Sequence, residues 1–400
     1  MTASAAHSML PPLSPTERAH SHKVAARVRA EIGAAGGWLS FERFMELALY
    51  APSLGYYSAG SAKLGPGGDF VTAPEVSDLF GRCLARQCAA VLESGGGEIL
   101  ELGAGTGRMA AALLAELAAL GVLPERYAIL EVSGDLAARQ RERLSQLPRA
   151  LAERLVWLTA LPAAPLRGVI LANEVMDALP CRRFAWRAAG VHEIGVALDE
   201  QATAAAEITF REREAAAAPE LARACAAILA DLDEPLLEGY TSEACLRLTP
   251  WIASLSDCLQ QGLLLLCDYG LPRRHYYHPQ RSSGTLRCHF RQRAHDDPYV
   301  YVGLQDISAW VDFTRVAEAA TASGLTVAGF ATQAACLAGL GLEEFVARAG
   351  SEVQRARLAG EARRLILPQE MGEAFKMMAL TRDFEAPLAA FALQDLRRLL

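Results

Sequence analysis

The sequence lacks several patterns that would assign it to a special class of protein. Its 400 residues carry a net charge of −7 and contain no long basic run, so we expect no nucleic-acid partner. No apolar stretch approaches the ~20 residues that a membrane-spanning helix needs. The first residues have no charged segment followed by an apolar one, which argues against a secretory signal.

The cysteines also lack a pattern. The nine cysteines are scattered, none belongs to a Cys-x-x-Cys pair, and their number is odd. These features argue against a complete set of disulfides and favour small apolar side chains in a reducing compartment. We therefore expect a cytoplasmic protein. An acidic chain can still bind a protein substrate that has a local basic patch, and a homodimer is left open.

Hydrophobic residues make up 52% of the chain, enough for one large decorated domain or a core domain with a second lobe. Residues 1–22 are rich in Ala, Ser and Pro and are expected to form a disordered leader. Residues 23–92 are expected to form a helical and glycine-rich cap segment. Its predicted elements are helices over 14–32, over 38–49 with Ser40 as N-cap, and over 74–92, around a glycine-rich stretch at 52–74.

From residue 98 onwards, short apolar strands alternate with helices. This alternation predicts an α/β fold with a doubly wound sheet and helices on both faces. The expected strands lie at residues 98–102, 127–132, 155–159, 168–172, 263–268, 325–330 and 375–380. We therefore predict a mostly parallel, seven-stranded, Rossmann-like sheet in a domain spanning residues 93–385.

The alternation is interrupted twice. Residues 184–198 are expected to form a hairpin and residues 202–232 to be partly helical, within an insertion at about 184–261. Residues 270–313 show little regular pattern and form a second insertion. We expect both insertions to lie over one edge of the sheet.

A glycine-rich turn follows the first strand of the alternation, with Gly103, Gly105 and Gly107 before the next helix. In an open α/β sheet, ligands bind beyond the carboxyl ends of the strands. Glycines there let the chain bend sharply and let a ligand approach the main chain closely. The helix that follows offers N–H groups to an anionic group at its start.

The residues around the turn indicate which ligand binds. A dinucleotide fingerprint would have Gly or Ala where this chain has Arg108, which argues against an NAD-dependent oxidoreductase. A G-x-G-x-G turn after Glu101 suits S-adenosylmethionine, whose amino group a carboxylate can meet. Glu131 ends the next strand and can accept hydrogen bonds from both ribose hydroxyls. A tight turn without a ligand is the alternative interpretation.

The fourth predicted strand ends with three polar residues, Asn173, Glu174 and Asp177. Polar groups at the carboxyl end of an apolar strand indicate a site, although Asn173 or Asp177 could instead cap a helix. Asp268 ends the fifth strand in the same way. His289, His295 and Asp296–Asp297 match no standard metal-binding spacing, so no metal is predicted.

Three groups of motifs resemble the MidA family, the mitochondrial complex I assembly-factor arginine methyltransferases and their bacterial relatives. The resemblance covers roughly residues 38–382. The motifs lie at residues 54–58, 68–77 and 80–81; at 101–107, 172–174 and 177–180; and at 238–243, 268–270, 284–288, 295–298, 305–307, 311–313, 371–372 and 375–376.

The resemblance implies a class I methyltransferase fold with family-specific insertions and S-adenosylmethionine as methyl donor. For the eukaryotic members it implies methylation of arginine on a respiratory-complex subunit. The chain departs from the family in its loop, which usually reads Gly-Pro-Gly-Arg-Gly-Thr, and in having alanines at 110–112 where an acid is common. Its Ala- and Arg-rich composition is typical of a bacterial member, which leaves the substrate open.

An arginine acceptor is charged at all accessible pH values, so carboxylates must hold it and help a proton to leave. We predict Glu75, Glu174 and Asp177 as these catalytic carboxylates, with the glycine-rich segment folded over the cofactor. An S-adenosylmethionine-binding assembly factor with little catalysis is the alternative. The predicted cofactor-binding residues are Asp69, Thr72, Glu101, Gly103, Gly105, Gly107, Glu131 and Asn173.

Overall fold

The structure is a computed structural model that describes residues 10–59, 71–199 and 208–400. The chain divides into two compact units. The sheet unit comprises residues 71–176, 248–272 and 312–400. The hairpin unit comprises residues 1–70, 177–247 and 273–311, as far as these are described. Each unit has a hydrophobic core of its own.

The strands in the described residues are numbered in chain order. They are β1 (Leu39–Ser40), β2 (Glu98–Leu102), β3 (Tyr127–Leu130), β4 (Leu155–Leu158), β5 (Leu166–Asn173), β6 (Arg182–Arg187), β7 (Gly190–Leu198), β8 (Phe210–Ala216), β9 (Thr241–Ala244), β10 (Leu259–Leu271), β11 (Arg287–Phe290), β12 (Arg293–His295), β13 (Asp306–Ser308), β14 (Val311–Asp312), β15 (Thr326–Thr332) and β16 (Phe375–Arg382).

The α-helices are numbered in the same way. They are α1 (Pro15–Ala34), α2 (Phe41–Tyr50), α3 (Ala73–Val76), α4 (Asp78–Gly95), α5 (Arg108–Leu120), α6 (Gly134–Leu144), α7 (Arg149–Ala152), α8 (Pro219–Asp231), α9 (Leu248–Cys258), α10 (Arg273–Tyr276), α11 (Phe313–Ala322), α12 (Gln333–Gly339), α13 (Leu342–Ala347) and α14 (Glu352–Ile366).

The large sheet has the strand order β15-β16-β10-β5-β2-β3-β4. The pairings from β10 through β5, β2 and β3 to β4 are parallel, whereas β16 runs antiparallel to both β10 and β15. The two-residue strand β14 also pairs with β10. The predicted α/β alternation is therefore confirmed, but the seven-strand count is corrected to eight strands in a mixed sheet. A strand as short as β14 has no hydrophobic period from which a sequence could predict it.

The apolar run of β10 is explained by burial on both of its faces. Leu263, Leu265 and Cys267 belong to the core of the sheet unit, and the alternate residues Leu264 and Leu266 are equally buried. Because successive side chains point to opposite faces of a sheet, both faces of this strand are covered.

The N-terminal helices begin at serine caps. Ser14 and Glu17 form a reciprocal capping box, so α1 begins at Pro15, inside the segment 1–22 for which we expected a disordered leader. Residues 1–9 lie outside the described part of the chain. Ser40 caps α2 as predicted, with its hydroxyl accepting from the N–H of Arg43. The two residues before α2 form β1 instead, because they pair with β7.

The helix predicted over residues 74–92 is split in two. Ser77 has an extended backbone with φ −158°, so α3 ends before it and α4 begins after it. The Ser77 hydroxyl accepts from the N–H of Leu79 and caps the second helix. Helix α3 is consequently a separate four-residue element.

In the hairpin unit, β6 and β7 form the predicted hairpin. The expectation of helix in 202–232 is met by α8, but it missed β8, which pairs with β7. Strand β8 alternates Arg and Glu, and its Glu214 pairs with Arg187 of β6. Such charge on an exposed strand hides the usual apolar alternation. Residues 200–207 lie outside the described chain.

The segment expected to be irregular contains a three-stranded sheet of order β12-β11-β13. The expected placement of the two insertions over an edge of the large sheet, and the domain boundaries expected from the sequence, stay predictions. Among the described helices, none is long and apolar enough to cross a membrane.

Close backbone approach between β10 and β5 generates a prediction about stability. Gly262 has φ +127°, and a Cβ there would collide with the carbonyl oxygen of Gly168. We expect Gly262→Ala to lower the free energy of unfolding by about 2–4 kcal/mol, measured by denaturant titration. Gly360, in the middle of α14 with open space around it, is the control. Gly360→Ala should raise stability by about 0.5–1 kcal/mol, and equal effects of the two changes would contradict the argument.

Candidate functional site at the carboxyl ends of the central strands

The glycine turn between β2 and α5 has the backbone that its glycines permit. Gly103, Gly105 and Gly107 have φ values of +61°, +55° and +80°, all in the left-handed region that favours glycine. Gly107 is the N-cap of α5 and has no side chain with which to cap the first turn of that helix. The turn therefore presents main-chain N–H groups at a helix N-terminus, which suits an anionic group.

Glu101 lies near the end of β2 and is almost fully buried. Its Oε2 accepts a hydrogen bond of 2.7 Å from the Tyr127 hydroxyl. Burial raises the pKa of Glu101 to about 7, and the hydrogen bond from Tyr127 partly opposes that rise. The carboxyl group is thus balanced between its two protonation states near neutral pH.

Glu131 follows β3 and is also buried, with a specific partner for each oxygen. Its Oε1 accepts from the N–H of Ser133 at 2.9 Å, and its Oε2 accepts from the Gln140 side chain at 2.8 Å. Gln140 also donates to the carbonyl oxygen of Gly105 at 3.0 Å. Gln140 therefore connects Glu131, which follows β3, to the glycine turn that follows β2.

Sequence reasoning missed Gln140, although a signal was present. It occupies a buried position of α6 together with Leu136, Ala137 and Leu144. A polar side chain within the apolar stripe of an amphipathic helix needs buried hydrogen-bond partners, and that need marks it out.

Asn173 and Glu174 lie where β5 ends. The Glu174 Oε1 accepts from the N–H of Ala73 and from the Asn173 amide, both at 3.2 Å. Within the described part of the chain, the Oδ1 of Asn173 is buried without a hydrogen-bond partner. A buried acceptor without a hydrogen bond lowers the stability of the folded protein unless a ligand supplies the donor.

Asp268 holds the turn that carries Glu174. Its Oδ2 accepts from the N–H groups of Val175 and Met176, at 3.2 and 2.9 Å. Glu174 itself has φ +53°, an uncommon value for a non-glycine residue. The buried carboxylate of Asp268, three residues before the end of β10, thus stabilises a strained turn after β5.

Helix α3 is bound to the glycine turn as well as to the end of β5. The Thr106 hydroxyl donates to the Glu75 carboxylate, and Arg108 donates to the Glu75 carbonyl oxygen and to Asp78. Thr72 is the N-cap of α3 but makes no side-chain capping bond. Arg108, which distinguishes the loop from a dinucleotide fingerprint, therefore anchors the segment that carries Glu75.

The remaining predicted residues are not brought into this group by the described contacts. Asp69 lies outside the described residues. Asp177 belongs to the hairpin unit, where its carbonyl oxygen accepts from the N–H of Ala309. His289 and His295 lie on β11 and β12, and the described residues contain no group of three side chains that could hold a metal.

The donors and acceptors at this sheet edge fit S-adenosylmethionine. The acids Glu101 and Glu131 match a cationic amino group and hydroxyl groups, and the uncapped start of α5 matches a carboxylate. The Asn173 Oδ1, which has no hydrogen-bond partner among the described residues, can accept from a further N–H or O–H group.

Comparisons with known proteins agree with this chemistry. A family described as "Putative S-adenosyl-L-methionine-dependent methyltransferase" matches residues 83–331. The chain belongs to this methyltransferase family. The match confirms the predicted methyl donor and favours it over the dinucleotide alternative.

Two relatives and two solved structures cover most of the chain. "Protein arginine methyltransferase NDUFAF7, mitochondrial" from Danio rerio is 28% identical, over 86% of this chain and 84% of its own length. The Mus musculus protein of that name is 29% identical, over 86% and 81%. A COG1565 superfamily crystal structure from Burkholderia thailandensis, bound to S-adenosyl-homocysteine, is 44% identical, covers 98% of this chain and 100% of its own, and has a TM-score of 0.90. A native structure from the same organism is 42% identical with a TM-score of 0.89, covering 98% and 100%.

These findings confirm a MidA-like family member with a class I methyltransferase-like fold. The fold assignment rests on the TM-score of 0.90 to the S-adenosyl-homocysteine complex.

The pKa of Glu101 generates a prediction about pH. Since the folded pKa lies above the ordinary value of 4.5, ionisation of Glu101 costs stability in the folded protein. The protonated Glu101 therefore contributes to the free energy of unfolding at low pH, and this contribution is lost as pH rises from about 4.5 towards 7. Glu101→Gln removes this titration, so we expect the stability of the variant relative to the wild type to improve by about 2 kcal/mol from pH 5.5 to pH 8.

Denaturant titrations at both pH values measure this difference. Tyr127→Phe removes the hydrogen bond that lowers the pKa of Glu101, so it should extend the loss of stability to higher pH. A difference between Glu101→Gln and wild type that does not change with pH would show that the carboxyl group is not titrating in this range.

Proposed function

We propose that this methyltransferase transfers its methyl group to an arginine side chain of a protein. The observation that carries the proposal is the alignment, over 86% of the chain, with relatives named protein arginine methyltransferases. A subunit of respiratory complex I is the first substrate to test, because the MidA resemblance suggests it.

An arginine acceptor sets clear demands on the residues around it. Its guanidinium is charged, planar and rich in donors, so carboxylates are the side chains that hold it in one orientation. S-adenosylmethionine supplies an electrophilic methyl group on a sulfonium when it is bound. The protein must then align one guanidinium nitrogen, exclude water and accept the proton that this nitrogen loses.

We assign this work to Glu75, Glu174 and Asp177. The carboxylates of Glu75 and Glu174 are each restrained by a hydrogen bond, from Thr106 and from the N–H of Ala73. Restrained carboxylates lose little entropy when they bind a guanidinium, which supports roles in orientation and proton acceptance. Asp177 follows Glu174 by three residues, and its role rests on the MidA resemblance and its position along the chain.

We also propose roles for the cofactor residues. Glu101 meets the amino group, Glu131 accepts from the ribose hydroxyls, and the glycine turn with α5 receives the carboxylate. Thr72 and Asn173 contribute from α3 and from the end of β5, and Asp69 belongs to the glycine-rich segment before α3.

A cytoplasmic location, a bacterial source and a protein partner are part of the same proposal. The location is supported by nine scattered cysteines without a Cys-x-x-Cys pair, and the source by the Ala- and Arg-rich composition.

Labelled S-adenosylmethionine tests the acceptor directly. Incubation of the protein with a cell extract should label a protein band, and hydrolysis of that band should release methylarginine. Label confined to small molecules would overturn the protein acceptor and keep the reaction class. Tight binding of S-adenosyl-homocysteine with no transfer to any acceptor would favour the assembly-factor alternative.

Glu174→Gln separates catalysis from cofactor binding. Glutamine keeps an oxygen that can accept from the N–H of Ala73, so α3 should stay anchored. We expect binding of S-adenosyl-homocysteine within about twofold of wild type, and turnover lowered roughly 100-fold through loss of the charge.

The matched control for this variant is Glu142→Gln on the exposed side of α6, which should change neither quantity. Calorimetric binding and labelled-methyl transfer provide the two measurements. An equal loss in binding and in turnover would place Glu174 among the cofactor-binding residues instead.

A further inference from the structure

The Gln140 side chain makes three hydrogen bonds in a fully buried position. Its Nε2 donates to Glu131 Oε2 at 2.8 Å and to the carbonyl oxygen of Gly105 at 3.0 Å. Its Oε1 accepts from Trp157 Nε1 at 3.0 Å. The amide thus joins β4, the acid after β3 and the turn after β2.

This arrangement allows only one orientation of the amide. The indole nitrogen of Trp157 can only donate, so it must face the amide oxygen. The amide nitrogen has two hydrogens, and it faces two acceptors. A flipped amide would lose all three bonds, so the orientation follows from the partners rather than from the similar shapes of N and O.

The consequence is a direct connection between two parts of the proposed cofactor site. The other oxygen of Glu131 accepts from the N–H of Ser133, so both oxygens of the carboxylate are restrained by hydrogen bonds. The carbonyl of Gly105 is held by the same amide group. One side chain therefore contacts both the glycine turn and the acid.

We propose that Gln140 is a positioning residue for the ribose of S-adenosylmethionine. It sets the Glu131 carboxylate in the orientation that accepts from two neighbouring hydroxyls, and it holds the glycine turn at the matching separation. The inference rests on the proposed role of Glu131. A carboxylate offers about four lone-pair positions, so hydrogen bonds to the protein and to a vicinal diol can coexist on it.

Substitution of Gln140 should affect the ribose contacts in particular. Methionine has a similar length but no amide, so Gln140→Met removes all three bonds with little change in volume. We expect the Kd for S-adenosyl-homocysteine to rise roughly 10- to 100-fold, as for loss of hydrogen bonds to a charged group. For the 2′,3′-dideoxy analogue, which offers no hydroxyls to Glu131, the Kd should change less than about threefold on this substitution.

Gln87 provides a matched control. It is another fully buried helical glutamine of the sheet unit, and its Oε1 accepts from the N–H of Ala390. Gln87→Met should lower stability, as we also expect for Gln140→Met, but leave both Kd values at their wild-type levels. Calorimetric titration of both ligands, with thermal unfolding alongside, supplies the data.

A second variant gives a readout that loss of packing would not produce. Gln140→Glu places a carboxyl group against Glu131, so like charges repel each other at pH 8. Protonation at low pH restores a donor towards Glu131. The increase in Kd relative to wild type at the same pH should therefore shrink from pH 8 to pH 5.5. If it is independent of pH, the proposal is wrong.

The outcomes separate this inference from the proposed function. Wild-type Kd values for Gln140→Met would overturn the role of Gln140 and leave the donor site intact. So would an equal rise in Kd for both ligands, because that result indicates general loosening of the site. Failure of Glu131→Gln to reduce discrimination between the two ligands would instead contradict the assignment of Glu131, on which the inference rests.

Discussion

Three neighbouring parallel strands, β5, β2 and β3, end at one edge of the sheet, and the candidate site depends on their register. Leu102 of β2 pairs with Ala172 of β5 and with Leu130 of β3. The residues that follow these positions are the glycine turn, Asn173–Glu174 and Glu131. Parallel pairing therefore places groups from distant parts of the chain side by side.

The side chains at this edge are mainly acids, and each of the buried acids Glu101, Glu131 and Asp268 accepts at least one hydrogen bond from the protein. Glu131 accepts from a main-chain N–H and from Gln140, Glu101 accepts from Tyr127, and Asp268 accepts from three main-chain N–H groups. Burial without such donors would cost several kcal/mol for each charge. Burial raises the pKa of Glu101, and the hydrogen bond from Tyr127 only partly opposes that rise.

Much of the sheet and of the cofactor loop could be predicted because the signals are local. The apolar strands, the glycines with left-handed backbone and Glu131 after the second strand are each visible within a few residues. The partners could not be predicted in this way. Gln140 meets Gly105 from 35 residues away, and Asp268 bonds Val175 from 93 residues away. Strands β8 and β14 and the break at Ser77 could not be predicted either. A charged strand, a two-residue strand and a single extended serine leave no hydrophobic period in the sequence.

By itself the sequence determined the alternation of strands and helices, the glycine turn at 103–107 and the acids that follow the strands. These features follow from side-chain volume, polarity and backbone freedom, which each residue carries with it. Only the tertiary structure decided that α3 is tied to Thr106 and Glu174, that Asp268 holds the turn after β5, and that Gln140 joins the glycine turn to Glu131. Those bonds form when sheet register and helix packing bring remote groups within about 3 Å of each other, and no local pattern encodes that separation.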